Sequence, residues 1–92
     1  MPFVYLVRCC VQSLYVGLTS DLSFREQAHN DGHGAAYTAR RRPVRMVYVE
    51  EYSSLLEARR RERQIKGWTT RKKEALIARD HSRLKHLSKR HR

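Results

Sequence analysis

The chain has 92 residues, and its 20 Lys and Arg against nine Asp and Glu give a formal net charge of +11. That length is enough for one domain and too short for two. The basic excess is concentrated in the stretches ARRRPVR and ARRRERQIK. Such stretches indicate a polyanionic partner, and they favour nucleic acid over an anionic membrane and over a basic surface that serves only solubility.

The apolar runs and the cysteines exclude secreted, membrane-spanning and zinc-binding classes of protein. The first ten residues lack the charged segment and the long apolar run of a secretory signal, and no later run approaches a membrane span. We therefore expect a cytoplasmic protein. Cys9 and Cys10 are adjacent, which disfavours a disulfide between them, and no Cys or His spacing is typical of zinc despite five histidines. Both cysteines are expected to be buried structural thiols.

Two segments near the start, FVYLVRC and SLYVGLT, predict a β-hairpin because both are rich in β-branched and aromatic residues and flank a polar break. Side chains alternate along a strand, so Tyr5 and Tyr15 share one face if the loop has an odd number of residues, for example residues 11–13. The opposite, core-facing side then receives Val4, Leu6, Leu14, Val16 and Leu18.

Capping residues and helix breakers delimit the rest of the domain. A cap at residues 19–21 predicts a first helix over about 21–30, which NDGHG ends. Residues 31–43 are expected to form a loop with at most one turn around AAYT, and VRMVYVEEY predicts a third strand. We expect residues 1–80 to form one domain.

Two helices follow the third strand. Ser53 or Ser54 is expected to cap the second helix, LLEARRRERQIK, which ends near Gly67. A threonine at 69 or 70 caps a third helix through TTRKKEALIARDHSRLKHL. Residues 81–92 would then contain the end of that helix and a frayed basic tail, SKRHR.

One carboxylate of the second helix occupies an unusual position. Drawn at about 100° per residue, this helix has an apolar stripe formed by Leu55, Ala58 and Ile65. Glu62 lies within the stripe, whereas Arg60, Arg61 and Arg63 point away from it. A carboxylate among core-facing residues is costly unless it is paired, hydrogen-bonded or bound to a cation. The partner of Glu62 is either a basic side chain, Arg59 or Lys66, or a metal ion.

The first helix carries Arg25 and His29, which share one face because they are spaced i, i+4. A cation and a potential general base or proton relay therefore lie side by side. The sequence thus combines this pair with two phenols and the Glu62 carboxylate in a chain that should bind a polyanion.

The order and spacing of these groups resemble the GIY-YIG nuclease family. Its first motif appears as VYL at residues 4–6 and its second as YVG at residues 15–17. The family's arginine falls in TSDLSFREQAHN and its metal-binding glutamate in EARRRERQIK. The run YT…RRPV…VYVE is similar to the small stand-alone bacterial GIY-YIG proteins. The resemblance extends from residue 3 to about residue 78.

The resemblance implies an α+β fold, a three-stranded antiparallel sheet flanked by helices, and a phosphodiesterase site that uses Mg²⁺ or Mn²⁺. It implies Tyr5 and Tyr15 as site phenols, Arg25 at the scissile phosphate, His29 as a proton-transfer or phosphate-binding group, and Glu62 as the metal ligand. Either tyrosine could act as the base, with Tyr15 preferred. Gly17 should matter through its backbone, since a side chain there could obstruct the site next to Tyr15.

The same resemblance predicts an endonuclease that hydrolyses DNA by structure rather than sequence, because little chain remains to read bases. Larger members carry an asparagine on a later helix, and TTRKKEALIARD offers none. Two other functions stay open: a weakly active or inactive module that binds DNA or RNA, and an adaptor that docks a protein or ribonucleoprotein.

We expect a monomer, aided by a protein that confers specificity. Predicted contacts to the nucleic acid are Arg40, Arg41, Arg42, Arg45, Arg60, Arg61, Arg63 and Lys66.

Overall fold

The computed structural model describes residues 1–10 and 12–79, which form a three-stranded sheet with helices on both faces. The elements in chain order are β1 (Phe3–Cys9), β2 (Leu14–Thr19), α1 (Leu22–Asn30), α2 (Ala36–Ala39), β3 (Val44–Glu51), α3 (Leu55–Lys66) and α4 (Thr70–Ile77). The strand order is β2-β1-β3, and both pairs are antiparallel. The expected α+β class is confirmed.

The hairpin has the register that the side-chain pattern predicts. Tyr5 pairs with Gly17, and Val7 pairs with Tyr15, so the two tyrosines share one face of the sheet. The backbone N–H of Cys9 donates to the carbonyl of Ser13 at 2.9 Å. The paired ends of the hairpin are therefore Cys9 and Ser13 rather than Cys10 and Leu14. The number of residues between them is odd, as expected. Gln12, at φ 67°, adopts the left-handed conformation common at the end of such loops.

Both faces of the sheet are covered. Val4, Leu6 and Val16 pack with residues of α3 and α4 in one core cluster. Tyr5, Val7, Cys9 and Val44 form a second cluster on the other face, with Leu22 of α1 packed against it. The tyrosine face is thus an interior surface as well, and the side chains that it presents are held by packing.

Helix α1 also protects the outer edge of β3. Asn30 donates its amide Nδ2–H to the carbonyl of Val44 at 3.1 Å and accepts from the N–H of Val44 at 2.7 Å. The Glu26 carboxylate accepts from the N–H of Met46 at 2.8 Å. These bonds satisfy edge groups that would otherwise invite another strand. The helix itself begins where predicted, with Asp21 as its cap.

The buried face of α3 differs from the prediction. Ser54 caps the helix, and Ala58 and Ile65 are buried, but Leu55 is 50% exposed. Arg61 does not point away from the core: its Nε donates to Glu50 at 2.9 Å and its Nη2 at 3.0 Å. The buried stripe is centred between Ala58 and Ile65, so Arg61 and Glu62 flank it about 50° to either side and Leu55 lies about 70° away.

Two further predictions need correction. Helix α4 ends at Ile77, earlier than expected, because Ala78 caps it and Arg79 adopts a left-handed φ of 58°. The boundary at residues 80 and 81 and the tail SKRHR lie outside the described residues. Cys9 is buried but Cys10 is exposed, because Cys9 ends a core strand and Cys10 begins the hairpin loop. None of the helices within residues 1–10 and 12–79 is long and apolar enough to cross a membrane.

Candidate active site

The Tyr5 hydroxyl is the centre of a buried polar cluster. Tyr5 lies in the middle of β1 and is 0% exposed. Its Oη lies 2.8 Å from Nε2 of His29, and Nε of Arg25 donates to it at 3.3 Å. Arg25 and His29 therefore share the α1 face that their spacing predicts, and that face meets the phenol.

A chain of hydrogen bonds fixes the proton positions on His29. The Thr38 hydroxyl donates to the carbonyl of Ala35 at 3.0 Å, and Nδ1 of His29 lies 2.6 Å from that hydroxyl. Since the threonine proton is already committed, Nδ1 is the donor and Nε2 of the neutral ring is the acceptor. Tyr5 then donates to Nε2, while its oxygen accepts from Arg25.

The surroundings favour neutral forms of both central groups. Burial lowers the pKa of His29, and the neighbouring Arg25 charge lowers it further. Burial raises the pKa of Tyr5, Arg25 opposes this, and the charges of Tyr15 and Glu62 raise it by smaller amounts. His29 is therefore a neutral base at pH 7.

Tyr15 is half-buried and stands beside the cluster. Its ring meets the His29 ring edge-on, with centroids 5.5 Å apart, and stacks on Tyr37 at 5.9 Å and 26°. The Arg41 guanidinium covers the Tyr37 ring at 3.9 Å and donates to the Tyr37 carbonyl at 2.8 Å. The orientation of Tyr15 is thus set by His29 on one side and Tyr37 on the other.

Two glycines leave room for these groups. A Cβ on Gly17 would overlap the Tyr5 hydroxyl, so the glycine of the second motif accommodates Tyr5 rather than keeping clear the space near Tyr15. A Cβ on Gly34 would overlap Nδ1 of His29. Any larger residue at either position would displace one member of the hydrogen-bond chain.

Glu62 is half-buried, and Lys66 lies 3.2 Å from its Oε2, so one predicted ion pair is present. Arg59, the other candidate, is exposed. Because the Lys66 side chain is 52% exposed, this pair adds little stability and leaves the carboxylate accessible to a cation. Within the described residues, no group of three His, Cys, Asp or Glu side chains could hold a metal ion. The donor set fits a hydrated Mg²⁺, which protein sites bind through one or two carboxylates plus phosphate.

The predicted contacts to nucleic acid divide into two groups. Arg41 holds Tyr37, Arg42 donates to the carbonyls of Ala39 and Asn30 at 3.1 and 3.2 Å, and Arg61 is engaged by Glu50. These three already have intramolecular partners. The second group is exposed: Arg40, Arg45, Arg60, Arg63 and Lys66. Lys66 in this group is also the partner of Glu62.

Sequence reasoning missed Thr38, Tyr37 and Gly34, which all belong to the segment expected to be a loop. Thr38 and Tyr37 lie on the short helix α2, and Thr38 is 0% exposed. The only local signal was the possible turn around AAYT, which places a threonine and a tyrosine together. That signal does not show that the turn packs on His29 and Tyr15.

Comparison with known proteins identifies the family of the chain. Residues 1–75 match the GIY-YIG catalytic domain. UPF0213 proteins of Staphylococcus aureus strains Mu3 and COL are each 49% identical over 75 residues, which cover 82% of this chain and 92% of theirs. The solution structure of a UPF0213 protein from Bacillus halodurans has a TM-score of 0.56 and 39% identity, and the match covers 85% of this chain and 84% of that one. With most of its length matched and its motif tyrosines meeting on one face of the sheet, the chain belongs to the GIY-YIG nuclease family.

Proposed function

We propose that this protein is a metal-dependent endonuclease that hydrolyses phosphodiester bonds of DNA. The observation that carries the proposal is the convergence of Arg25 and His29 on the Tyr5 hydroxyl, directly beside the half-buried ring of Tyr15. A module that only binds nucleic acid has no need for a neutral base in contact with a phenol. Such a pair can move a proton, which hydrolysis requires.

The geometry supports distinct roles for the two tyrosines. Tyr15 has partial access to solvent and is the phenol that contacts the attacking water. Tyr5 is fully enclosed, and with the neutral His29 it forms a buried proton-accepting pair behind Tyr15. Arg25 holds Tyr5 through Nε alone, and its Nη atoms make no hydrogen bond to the described residues. Those atoms are placed to stabilise charge on the phosphoryl oxygens.

Glu62 would hold the divalent metal, Mg²⁺ or Mn²⁺. When bound, the metal supplies positive charge at the scissile phosphate and lowers the pKa of coordinated water. The fit rests on the Glu62 carboxylate, whose ion-pair partner Lys66 is itself half-exposed and can be displaced by a cation. Among the chain's own residues, Arg25 would orient the phosphate and Tyr15 would contact the attacking water, with its ring oriented by His29.

We propose that the protein recognises DNA by its structure rather than by its base sequence. The exposed arginines Arg40, Arg45, Arg60 and Arg63 suit contacts to phosphates, which carry no sequence information. We propose that the protein acts as a cytoplasmic monomer and that a protein partner adds specificity. Branched and flapped DNA are the substrates that such a small site would select.

A cleavage assay tests the proposal. The purified protein is incubated with branched, flapped and single-stranded DNA, with and without Mg²⁺ or Mn²⁺. We expect cleavage that needs the metal and falls by roughly 10²-fold or more in single turnover in the Arg25→Ala variant, at similar affinity. If binding and cleavage fall in parallel, Arg25 is an ordinary phosphate contact.

Two variants distinguish the roles of Tyr15 and Tyr5 in the same cleavage assay. Tyr15→Phe should remove most of the cleavage, because the group in contact with the water is lost. Tyr5→Phe keeps the ring but removes the hydroxyl that contacts His29 and Arg25, so it should also lower cleavage, though by less than Tyr15→Phe. The reverse order would assign the base to Tyr5.

One observation favours a second function, a weakly active or inactive nucleic-acid-binding module. The ion pair between Glu62 and Lys66 gives the carboxylate a partner without any metal. On this alternative the protein binds DNA or RNA, and no metal produces cleavage of any of the three substrates. Binding that is equally tight in EDTA and Mg²⁺, without cleavage, would establish it.

A further inference from the structure

A cavity beside Arg25 has no role in the chemistry described above. Its volume is about 280 Å³, and it runs along the outer face of α1, lined by Phe24, Arg25, Gln27, Ala28, Asp31 and His33. Phe24 is 69% exposed although it is a large apolar side chain. The site residue Arg25 forms part of the wall, so an occupant of the cavity would be next to the phosphate bound there.

We propose that this cavity binds one unpaired nucleobase, which stacks on Phe24 next to the scissile phosphate. The inference rests on the proposed function, and it names the substrate class: DNA with an unpaired nucleotide at the cleavage site. A base inside a duplex already has both faces stacked and its edge paired, so it cannot offer a face to Phe24. Stacking on an aromatic ring is the usual way in which proteins hold unpaired bases.

The polar groups of the cavity favour a base over a second phosphate. Asp31 is exposed and carries a negative charge, which would repel phosphate. Its carboxylate and the Gln27 amide are suited to hydrogen-bond the amino and carbonyl groups of a base edge. Phe24 and Ala28 supply the apolar surface on one side of the same helix turn, since they are spaced i, i+4.

The test uses a duplex with a single-nucleotide flap whose base is 2-aminopurine, a fluorescent adenine analogue that is quenched when it stacks. A second duplex carries an abasic flap. Both are titrated with the full chain in EDTA, so that binding is measured whether or not the protein can cleave. The variants are Phe24→Ala, the conservative Phe24→Tyr, and Leu56→Ala, which removes an apolar side chain that is 60% exposed on α3.

We expect the wild type to quench 2-aminopurine and to bind the base-bearing flap about 5-fold to 150-fold more tightly than the abasic one, which is the range for one stacked base. Phe24→Ala should lose both the quenching and the preference, while Phe24→Tyr and Leu56→Ala should keep them. If the wild type shows no preference, or if Phe24→Ala retains it in full, the proposal is wrong. Absence of cleavage with the preference intact would contradict only the proposed nuclease function.

Discussion

At the scale of single residues, the site depends on which nitrogen of His29 carries the proton. The committed hydroxyl of Thr38 makes Nδ1 the donor, so Nε2 is free to accept the proton of Tyr5. Burial and Arg25 both hold the pKa of His29 below its ordinary value. The imidazole is therefore a base under physiological conditions and not a second cation next to Arg25.

The lowered pKa of His29 predicts a pH dependence of stability. Between the lowered folded pKa and the unfolded value of about 6.5, the unfolded chain binds more protons than the folded one. The free energy of unfolding should therefore be fully retained above about pH 6.5 and decrease as the pH falls below it. Thermal melts of wild type from pH 8 to pH 5 should show this decrease.

The His29→Gln variant is the control for the pH dependence, because it removes the buried imidazole and leaves the other histidines in place. Its melting temperature should change less over the same range. Metal-dependent cleavage by wild type should fall with an apparent pKa below 6.5 as well. An equal acid-induced decrease in both proteins would attribute the effect to other residues.

The stack on Tyr15 predicts a positioning role for Tyr37. Tyr37→Ala should lower kcat about 10-fold, equivalent to about 1.4 kcal/mol, because Tyr15 loses one of the two rings that orient it. KM should change little. Tyr37→Phe keeps the stack and should behave like wild type in single-turnover cleavage. Equal loss in both variants would show that the Tyr37 hydroxyl, and not the ring, is required.

The Glu62→Gln variant distinguishes the proposed metal-binding role of Glu62 from its ion pair with Lys66. Glu62→Gln should abolish metal-dependent cleavage and leave DNA affinity equal or slightly higher, since a negative charge near phosphate is removed. In EDTA the free energy of unfolding of this variant should change by less than about 0.5 kcal/mol, because an i, i+4 ion pair with a half-exposed lysine contributes little. Glu57→Gln, an exposed residue of α3, is the control. Full cleavage by Glu62→Gln would leave Glu62 with only its contact to Lys66.

At the scale of elements, side chains of one element complete the hydrogen bonding of another. Arg61 of α3 meets Glu50 of β3, whose carboxylate also accepts from Tyr48 and Tyr52. Burial raises the pKa of Glu50, but these donors outweigh it and hold the pKa below its usual range. Burial, followed by the hydrogen bonds to Glu50, raises the pKa of both tyrosines to about 12. Arg61 therefore serves the fold and is engaged before any nucleic acid arrives.

The two hydrogen bonds between Asn30 of α1 and Val44 of β3 give a prediction about the stability of the fold. Asn30→Ala would leave the N–H and carbonyl of Val44 without their partner at the edge of the sheet. The free energy of unfolding in urea should fall by about 1–3 kcal/mol. Ser23→Ala, an exposed change on the same helix, should cost much less. Equal effects would mean that water replaces the amide without loss.

At the scale of the whole molecule, the sequence has a net charge of +11, and within residues 1–10 and 12–79 several of the cations are engaged inside the fold. Arg8 forms a bidentate pair with Glu74 at 2.7 Å, and Arg61 and Lys72 lie over the Trp68 ring at 5.1 and 4.2 Å. Arginines near Pro43 line two shallow cavities of about 410 and 400 Å³. The exposed members of that region are therefore the best candidates for the phosphate-binding face.

Salt dependence tests this face. Arg40→Ala and Arg45→Ala should each reduce the slope of log K against log salt for duplex DNA by about 0.9, because each lost phosphate contact releases one counterion fewer. Affinity for all sequences should fall similarly. Arg59→Ala, an exposed change on α3, should leave the slope unchanged. Unaltered slopes in the first two variants would move the face to Arg60 and Arg63.

The sequence by itself determined the features that depend on near neighbours. Alternation along two short strands placed Tyr5 and Tyr15 on one face, and the spacing of four on a helix joined Arg25 to His29. Capping residues located the starts of α1, α3 and α4, but not that of α2. These follow from backbone geometry over a few residues, so no knowledge of the rest of the chain was needed.

The tertiary structure decided what packs against each local element. Only packing shows that Arg61 turns to Glu50, that Leu55 is exposed, and that the short helix α2 brings Thr38 to His29. These contacts join residues far apart in the chain, and helical periodicity gives a direction around the axis but not the neighbour that lies there. The residue types of the candidate site could thus be predicted from the sequence, whereas the protonation and orientation of these side chains required the folded chain.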